Sequence, residues 1–475
     1  MFQEDASSSE EQKEAVDRLL ADPRLAKLGL IRLVWGDQHG LTRAKAVTVG
    51  EFERVLKRGR PFQLAPMLLD TAGYPVVSPS GEDASFGVAE LEGLPDGVLV
   101  PDVRTFRMAP WSSAMGVVIC DLRLRSGSAL PFCTRQLLRG RLDELAASGL
   151  EYRVGLEIEL YVTRIVDDRL DWAASSRRPP AAPVVAPVVH GDRYHGEQAF
   201  DPMDVVVTLV RETAEGLELP LATVEMETGP GHLECTFDVL DAASAADAML
   251  LFRSGVKQAV RRAGYHASFM PRPHLDGVEP SGWHLHQSLA GEGGNIFASP
   301  SEPYGLTTKA CGFLGGLLAH AHESSLLVAP LINSYKRYEP GTFAPSTACW
   351  TRDTRGSLVR VLASADKDRT RLEFRGGDSA ANPYLYIASQ LISGLDGMEQ
   401  GVDPGPPEAD PHDAPAPSLP GSLMEAIEVF EGSALFRKAL GDTFVDYLVA
   451  IKRHEAKRFL SAVTDWEQQE YFRSF

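Results

Sequence analysis

Cysteine is scarce and unpaired in this sequence: Cys120, Cys133, Cys235, Cys311 and Cys349 are the five in 475 residues, and no two form a CxxC pair. That excludes a disulfide-held scaffold and the usual zinc or dithiol motifs, and the five read as reduced core residues of a cytoplasmic protein. No uninterrupted apolar run reaches membrane-spanning length. Met1 to Lys13 is acidic and polar, without the basic and apolar regions of a secretion signal. Positive charge is also short: 47 Lys and Arg face 65 Asp and Glu, for a net charge of -18. This balance opposes binding to nucleic acid or an anionic membrane and otherwise reads as simple solubility. Internal repeats and low-complexity tails are absent. What the chain does have is length and 44% hydrophobic residues, enough for two domains and a well-buried core.

Val16, Leu19, Leu20 and Leu25 recur at helical spacing over residues 14–26, and residues 31–35 then read as a strand. Asp37, Gln38, His39 and Gly40 form a turn before a returning strand over 44–49, which places Asp37 at an exposed hairpin tip. Further strands are expected over 97–100 and 115–122, with Pro110 and Trp111 marking a domain boundary at residue 112. A helix over 134–147 precedes a strand over 152–162. A Pro- and Ala-rich surface loop over 168–200 leads to a helix over 202–215. Helix 242–263, strand 266–270, strand 283–289, helix 307–328 and a last helix over 442–464 complete an α+β pattern.

Several chemical groups recur at strand spacing. Glu157 and Glu159 point to one face of their strand, where two buried like charges repel unless a cation lies between them, although a solvated strand edge reads equally well. Glu227 and Glu234 bracket a Gly229-Pro230-Gly231 turn and, taken alone, resemble surface glutamates. His284 and His286 alternate on an apolar strand and suit a ligand or phosphate contact. Arg371, Glu373 and Arg375 make a third alternating row, which alone is more often a surface ion pair. Arg337, Arg355 and Arg360 add paired donors for anions, and the segment ending at Arg337 leads into a Pro340-Gly341 loop expected to move. Together these carboxylates, histidines and arginines are what metal-assisted phosphoryl transfer requires, with magnesium or manganese favoured over zinc.

From Asp37 to the C-terminus the segments resemble glutamine synthetases in order and spacing. The resemblance rests on Glu157-Ile158-Glu159, the Glu227 to Glu234 segment, Phe269-Met270-Pro271-Arg272-Pro273 and Gly282-Trp283-His284-Leu285-His286-Gln287-Ser288. It rests equally on Asn333-Ser334-Tyr335-Lys336-Arg337, Arg371-Leu372-Glu373-Phe374-Arg375 and Asn382-Pro383-Tyr384-Leu385. It implies a small β-grasp domain over 1–112, then a catalytic domain over 113–475 whose curved antiparallel sheet is flanked by helices. It implies an ATP-dependent ligase with two or three magnesium or manganese ions per site, acting on L-glutamate and an amine through a γ-glutamyl phosphate. By resemblance Glu159, Glu227 and Glu234 hold one ion and Glu157, His284 and Glu373 another. Arg337 and Arg375 bind glutamate, Arg355 and Arg360 the transferring phosphoryl group and nucleotide, and His286 and Ser288 lie near the nucleotide. Asp37 is implied to deprotonate the amine in a neighbouring subunit's site, within a dodecamer or decamer of stacked rings.

The sequence departs from that family at three places. Phe343 stands where the family carries a glutamate that helps to bind ammonium, Glu279-Pro280 replaces a small Asn-Gly pair beside the glutamate site, and His232 replaces a glutamine. An aromatic ring in place of an anion removes a cation ligand and supplies an apolar wall. The expected substrate is therefore an amine bulkier than ammonia, led by an aromatic or apolar one such as aniline. A polyamine or ethanolamine is the next reading, for which Glu279 is the hint, and ammonia itself is another. The segment 401–410 has no tyrosine, where regulated bacterial glutamine synthetases carry an adenylylated one. A silent structural relative would have been free to lose ligands, yet every ligand position is filled. A metal-dependent hydrolase would leave the arginines unexplained.

Overall fold

The computed structural model describes residues 10–78, 82–176, 178–190, 194–338 and 342–475. The first nine residues of the polar start, and Pro340 and Gly341 of the expected moving loop, lie outside them.

A first, mixed sheet holds β1 (Leu30–Gly36), β2 (Thr42–Thr48), β3 (Arg60–Phe62), β4 (Gly97–Pro101), β5 (Arg107–Met108) and β6 (Met115–Arg123) in the order β2-β1-β6-β4-β3, with β5 also on β6. The expected β1–β2 hairpin forms, closing Gly36 opposite Thr42. Thr48 ends β2 by capping the helix Val49–Arg58, its hydroxyl accepting from the Glu51 amide. The boundary expected at residue 112 falls inside this unit. β6 lies at the centre of the sheet, parallel to β1 and antiparallel to β4. Its run of buried Val117, Val118, Ile119 and Cys120 suits a strand covered on both faces.

The second sheet has eleven strands: β7 (Glu151–Asp167), β8 (Val184–Ala186), β9 (Leu221–Met226), β10 (His232–Phe237), β11 (Leu240–Asp241), β12 (Tyr265–Ser268), β13 (Trp283–Gly291), β14 (Gly294–Asn295), β15 (Trp350–Arg352), β16 (Val359–Leu362) and β17 (Arg371–Phe374). Its main path is β15-β16-β17-β13-β7-β10-β9, and only β15 and β16 run parallel. The 17-residue β7 organises it: Tyr152, Val154, Leu156, Ile158, Leu160 and Val162 are all buried on one face. The alternate residues, Glu157 and Glu159 among them, therefore face the other way.

Helices pack behind the sheet. Thr134–Ala147 and Ala242–Arg262 touch β7, and both also pack on Pro383–Gln400. In the Asn382-Pro383-Tyr384-Leu385 motif, the Asn382 side chain caps that helix by accepting from the Tyr384 and Leu385 amides. The helix expected over 307–328 is two, Thr308–Ala319 and Ala321–Val328. They break at His320, whose ring is held by Glu323 and Asp396. Within the expected 168–200 loop the chain forms the short helix Trp172–Ser175 and the strand β8, which extends the sheet along β7. Among the described residues no helix is long and apolar enough to cross a membrane.

Candidate active site

Strand register assembles the polar face. Across β16, β17 and β13, Arg360 pairs with Glu373 and Glu373 with His286. Across β13 and β7, His284 pairs with Glu157, and across β7, β10 and β9, Glu159 pairs with Glu234 and Glu234 with Glu225. Directly paired residues project to the same side, so groups far apart in sequence meet on one surface. Strands flank β7 on both sides, which excludes the solvated-edge reading of Glu157 and Glu159. The Arg371 row is no surface ion pair either, since Glu373 is fully buried and Arg375 is 4% exposed.

The contacts are short. Glu157 lies 2.5 Å from His284 Nδ1 and 3.1 Å from His286 Nε2. Arg375 bonds Glu373 and comes within 3.4 Å of His284 Nδ1, while Arg360 donates to Glu373 at 3.1 Å. Arg371 Nε donates to His286 Nδ1 at 3.1 Å. Arg337 is buried and donates to the Gly376 carbonyl at 3.3 Å, one residue from Arg375. Arg355 is exposed on the 353–358 loop, and burial and Glu227 raise the pKa of Tyr194 against the opposing charge of Arg355. Ser288 follows His286 by two positions on β13 and so shares its face.

The carboxylates do not share one electrostatic state. Burial pushes Glu157 upward, but the His284 and His286 rings beside it outweigh this and hold it well below the usual range. Burial likewise opposes the ionised Glu373, and Arg375 and the two histidines overcome it. Burial together with Glu157, Glu159 and Glu227 pushes Glu234 up to about 10. Glu227 is raised by burial and by Glu159. The raised carboxyls mark where added positive charge is needed, and oxygen and imidazole donors fit a divalent cation there.

Among the described residues, two sets of donor atoms each lie within 4.8 Å of one another: Glu157, Glu234 and His284, and Glu157, His286 and Glu373. Glu157 is common to both. The expected partition differs from this, since it places Glu234 with Glu159 and Glu227 and leaves His286 to the nucleotide. A Cβ at Gly282 would come within 2.8 Å of His284 Nε2 and 3.2 Å of Glu159 Oε1, so a side chain there would displace both site groups.

Residues 131–471 match the family model "Glutamine synthetase, catalytic domain". The chain belongs to the glutamine synthetase family. A γ-glutamylanilide synthase from Acinetobacter sp is 37% identical, with 98% of this chain and 97% of that protein covered. A glutamine synthetase from Methanosarcina mazei is 32% identical over 79% of this chain and 83% of its own. Among solved structures, "Apo GmaS without ligand" superposes with a TM-score of 0.78 at 26% identity, covering 95% of this chain and 99% of that one. As a glutamine synthetase family member the chain is a carbon–nitrogen ligase, of a family whose enzymes use ATP, divalent metal ions, glutamate and an amine and are typically oligomeric.

Asp37 is fully buried rather than exposed at a hairpin tip. One carboxylate oxygen accepts from the His39 and Leu41 amides at 3.0 and 2.9 Å, and the other accepts from Arg43 Nε at 2.7 Å. The tip is covered because Asn382 bonds the Asp37 and Gln38 carbonyls and Arg253 the Gly40 carbonyl, so the hairpin meets the catalytic domain rather than solvent. Glu279 has an exposed side chain, with its backbone amide and carbonyl both bonded to the Tyr161 hydroxyl. Phe343 is 66% exposed, which is high for so large an apolar ring.

Sequence reasoning gave no role to Arg371, although its alternation with Glu373 and Arg375 was visible, nor to Tyr161 or Ser379. The Ser379 hydroxyl donates to the carbonyls of Glu159 and Gly282, fixing the backbone of a ligand strand. Nothing in the local sequence marks such a contact across 220 residues.

Proposed function

We propose that this ligase phosphorylates the γ-carboxylate of L-glutamate with ATP and joins it to a primary amine other than ammonia, with an aromatic or apolar amine such as aniline as the leading candidate. One observation carries the ligase chemistry: Glu157, Glu159, Glu234 and Glu373 share a sheet face with His284 and His286, and Arg360 and Arg375 bond Glu373 there. Magnesium or manganese is the ion of choice for these oxygen-rich donors. Glu157, Glu159, Glu227, Glu234, His284 and Glu373 would hold two or three such ions, and His286 joins the set by its place beside Glu373. Bound there, such ions would supply the positive charge that phosphoryl transfer to glutamate calls for.

The protein's own groups orient the reactants. Arg337 and Arg375, close together through Gly376, serve the glutamate carboxylate. Arg355 and Arg360, with His286 and Ser288, serve the nucleotide and the transferring phosphoryl group. A carboxylate acylates poorly at neutral pH, so phosphorylation makes its oxygen a leaving group before the amine attacks. Phe343 offers an exposed ring where a small cation would want a carboxylate, and Glu279 is the hint of an acid in the amine channel. Asp37 reaches an amine only after exchanging its bond to Arg43. We also propose stacked rings, of ten or twelve subunits, with sites between subunits, in the cytoplasm.

ADP release is measured with glutamate, ATP, magnesium and a panel of amines. The highest kcat/KM is expected for an aromatic or apolar amine, with ammonium weak. Equal or better turnover of ammonium would return the protein to ordinary glutamine synthesis.

A further inference from the structure

His232 ends the Gly229-Pro230-Gly231 turn at the start of β10, and this turn has room for no other residue at its last glycine. Gly231 has φ +79°, and a Cβ there would lie 2.3 Å from the Val162 carbonyl oxygen. The turn thereby presses His232 flat against Tyr161 of β7, with ring centroids 4.1 Å apart and planes 9° from parallel. Both ring nitrogens are engaged. Nδ1 lies 2.9 Å from the Thr228 carbonyl, which can only accept, so Nδ1–H donates. Nε2 lies 3.1 Å from Ser281 Oγ and 3.2 Å from Glu159 Oε2, which also can only accept, so the ring that bonds both Thr228 and Glu159 is the imidazolium, with an N–H at each nitrogen. The residue is 2% exposed, too deep to meet a substrate.

The same Glu159 oxygen also accepts from the Gly282 amide at 2.8 Å. Oε2 is therefore held from two sides, while Oε1 lies toward the cluster, 3.9 Å from His284 Nε2. Tyr161 reinforces this from the other side of the stack. Its hydroxyl is bonded to both the amide and the carbonyl of Glu279, which fixes the segment carrying Ser281. Three chain segments, the 228–232 turn, β7 and the 279–282 loop, thus converge on one carboxylate oxygen.

We infer that His232 is a positioning residue which, clamped by Tyr161 and Ser281, occupies Glu159 Oε2 and so makes Glu159 a one-oxygen ligand through Oε1. The inference rests on the metal-site reading given above. Groups that orient a metal ligand without touching the metal commonly change affinity 10- to 100-fold when removed. The glutamine that the family carries at this position could donate to Glu159 Oε2 through its amide nitrogen but could not stack in the same way.

The test titrates the full-length protein, without ATP or glutamate, with Mn2+ alone, and reads free Mn2+ by electron paramagnetic resonance. His232→Phe keeps the ring stack and removes both nitrogens, and His232→Gln restores an amide donor and acceptor. The expected result is that one class of Mn2+ site weakens about 10- to 100-fold in His232→Phe and returns to within about threefold of wild type in His232→Gln. Should the phenylalanine variant fail to assemble, His232→Asn, whose shorter amide keeps the Thr228 contact and cannot reach Glu159, is expected to show the same loss. Unchanged Mn2+ binding in the folded variants, with wild type binding normally, overturns the positioning role alone. Wild type that binds no Mn2+ overturns the metal-site reading itself.

Discussion

Removing divalent ions should make the stability of this protein depend on pH through Glu234. Its carboxyl has an ordinary value of 4.5 and is pushed up to about 10 in the folded chain by burial and by Glu157, Glu159 and Glu227. Between those two values the unfolded chain is ionised at this position while the folded chain keeps its proton. Stability is therefore fully present below the ordinary value and is lost as pH rises toward the folded one, by about 1.4 kcal/mol per unit. From about pH 6 to about pH 8 the metal-free protein should lose roughly 2.7 kcal/mol on this account. Magnesium reverses the loss by replacing the proton, and a free concentration a hundredfold above its dissociation constant adds about 2.7 kcal/mol. Glu234→Gln removes the ionisation. The metal-free variant should be less sensitive to pH and more stable than its parent near about pH 8, yet gain less from magnesium. Urea unfolding in EDTA and in magnesium at several pH values checks all three statements. A metal-free parent whose stability is flat over this range, or a Glu234→Gln variant that keeps the parent's slope, would refute the electrostatic account of the cluster.

Two further substitutions probe the amine pocket and the join between the sheets. Phe343→Glu should raise the ratio of kcat/KM for ammonium over that for an aromatic amine by about tenfold or more, since one charged contact of about 1.4 kcal/mol suffices; an unchanged ratio in ADP release would place specificity elsewhere. Arg135 is buried and bonds Asp247 through two nitrogens, Asp121 at 2.7 Å and Asp102 at 2.9 Å, tying the first sheet to the helix Ala242–Arg262. Arg135→Met leaves the buried Asp247 without its cation, while Arg104 and Arg139 still reach Asp102 and Arg139 still reaches Asp121, and it should cost about 3–5 kcal/mol in urea unfolding, whereas a loss near zero would mean that water reaches Asp247.

Much of the site could be read from side-chain period alone. A strand sends alternate residues to one face, so Glu157 with Glu159, His284 with His286, and Arg371 with Glu373 and Arg375 were already grouped by local geometry, and the chain's alternating apolar residues fixed which face was core. The helix over Thr134–Ala147 was equally local, and its observed ends match the expected ones. The helix expected over 307–328 failed at one residue, because apolar spacing continues past His320 and only its bonds to Glu323 and Asp396 reveal the break.

Register and burial were decided by the tertiary structure, because they depend on which strands become neighbours. A shift of one residue between β7 and β10 would have parted Glu159 from Glu234, and nothing within either segment specifies their pairing. The same holds for Asp37, whose turn looks exposed until Arg253 and Asn382 cover it, and for β6, which belongs to the first sheet by pairing with β1. The sequence by itself determined the kinds of chemical group and the faces they occupy, since those follow from covalent geometry and local period. The fold alone decided which of them lie a few ångströms apart, and with that which carboxylates hold a charge and which a proton, because Coulomb energies in a buried site depend on distances that no local pattern encodes.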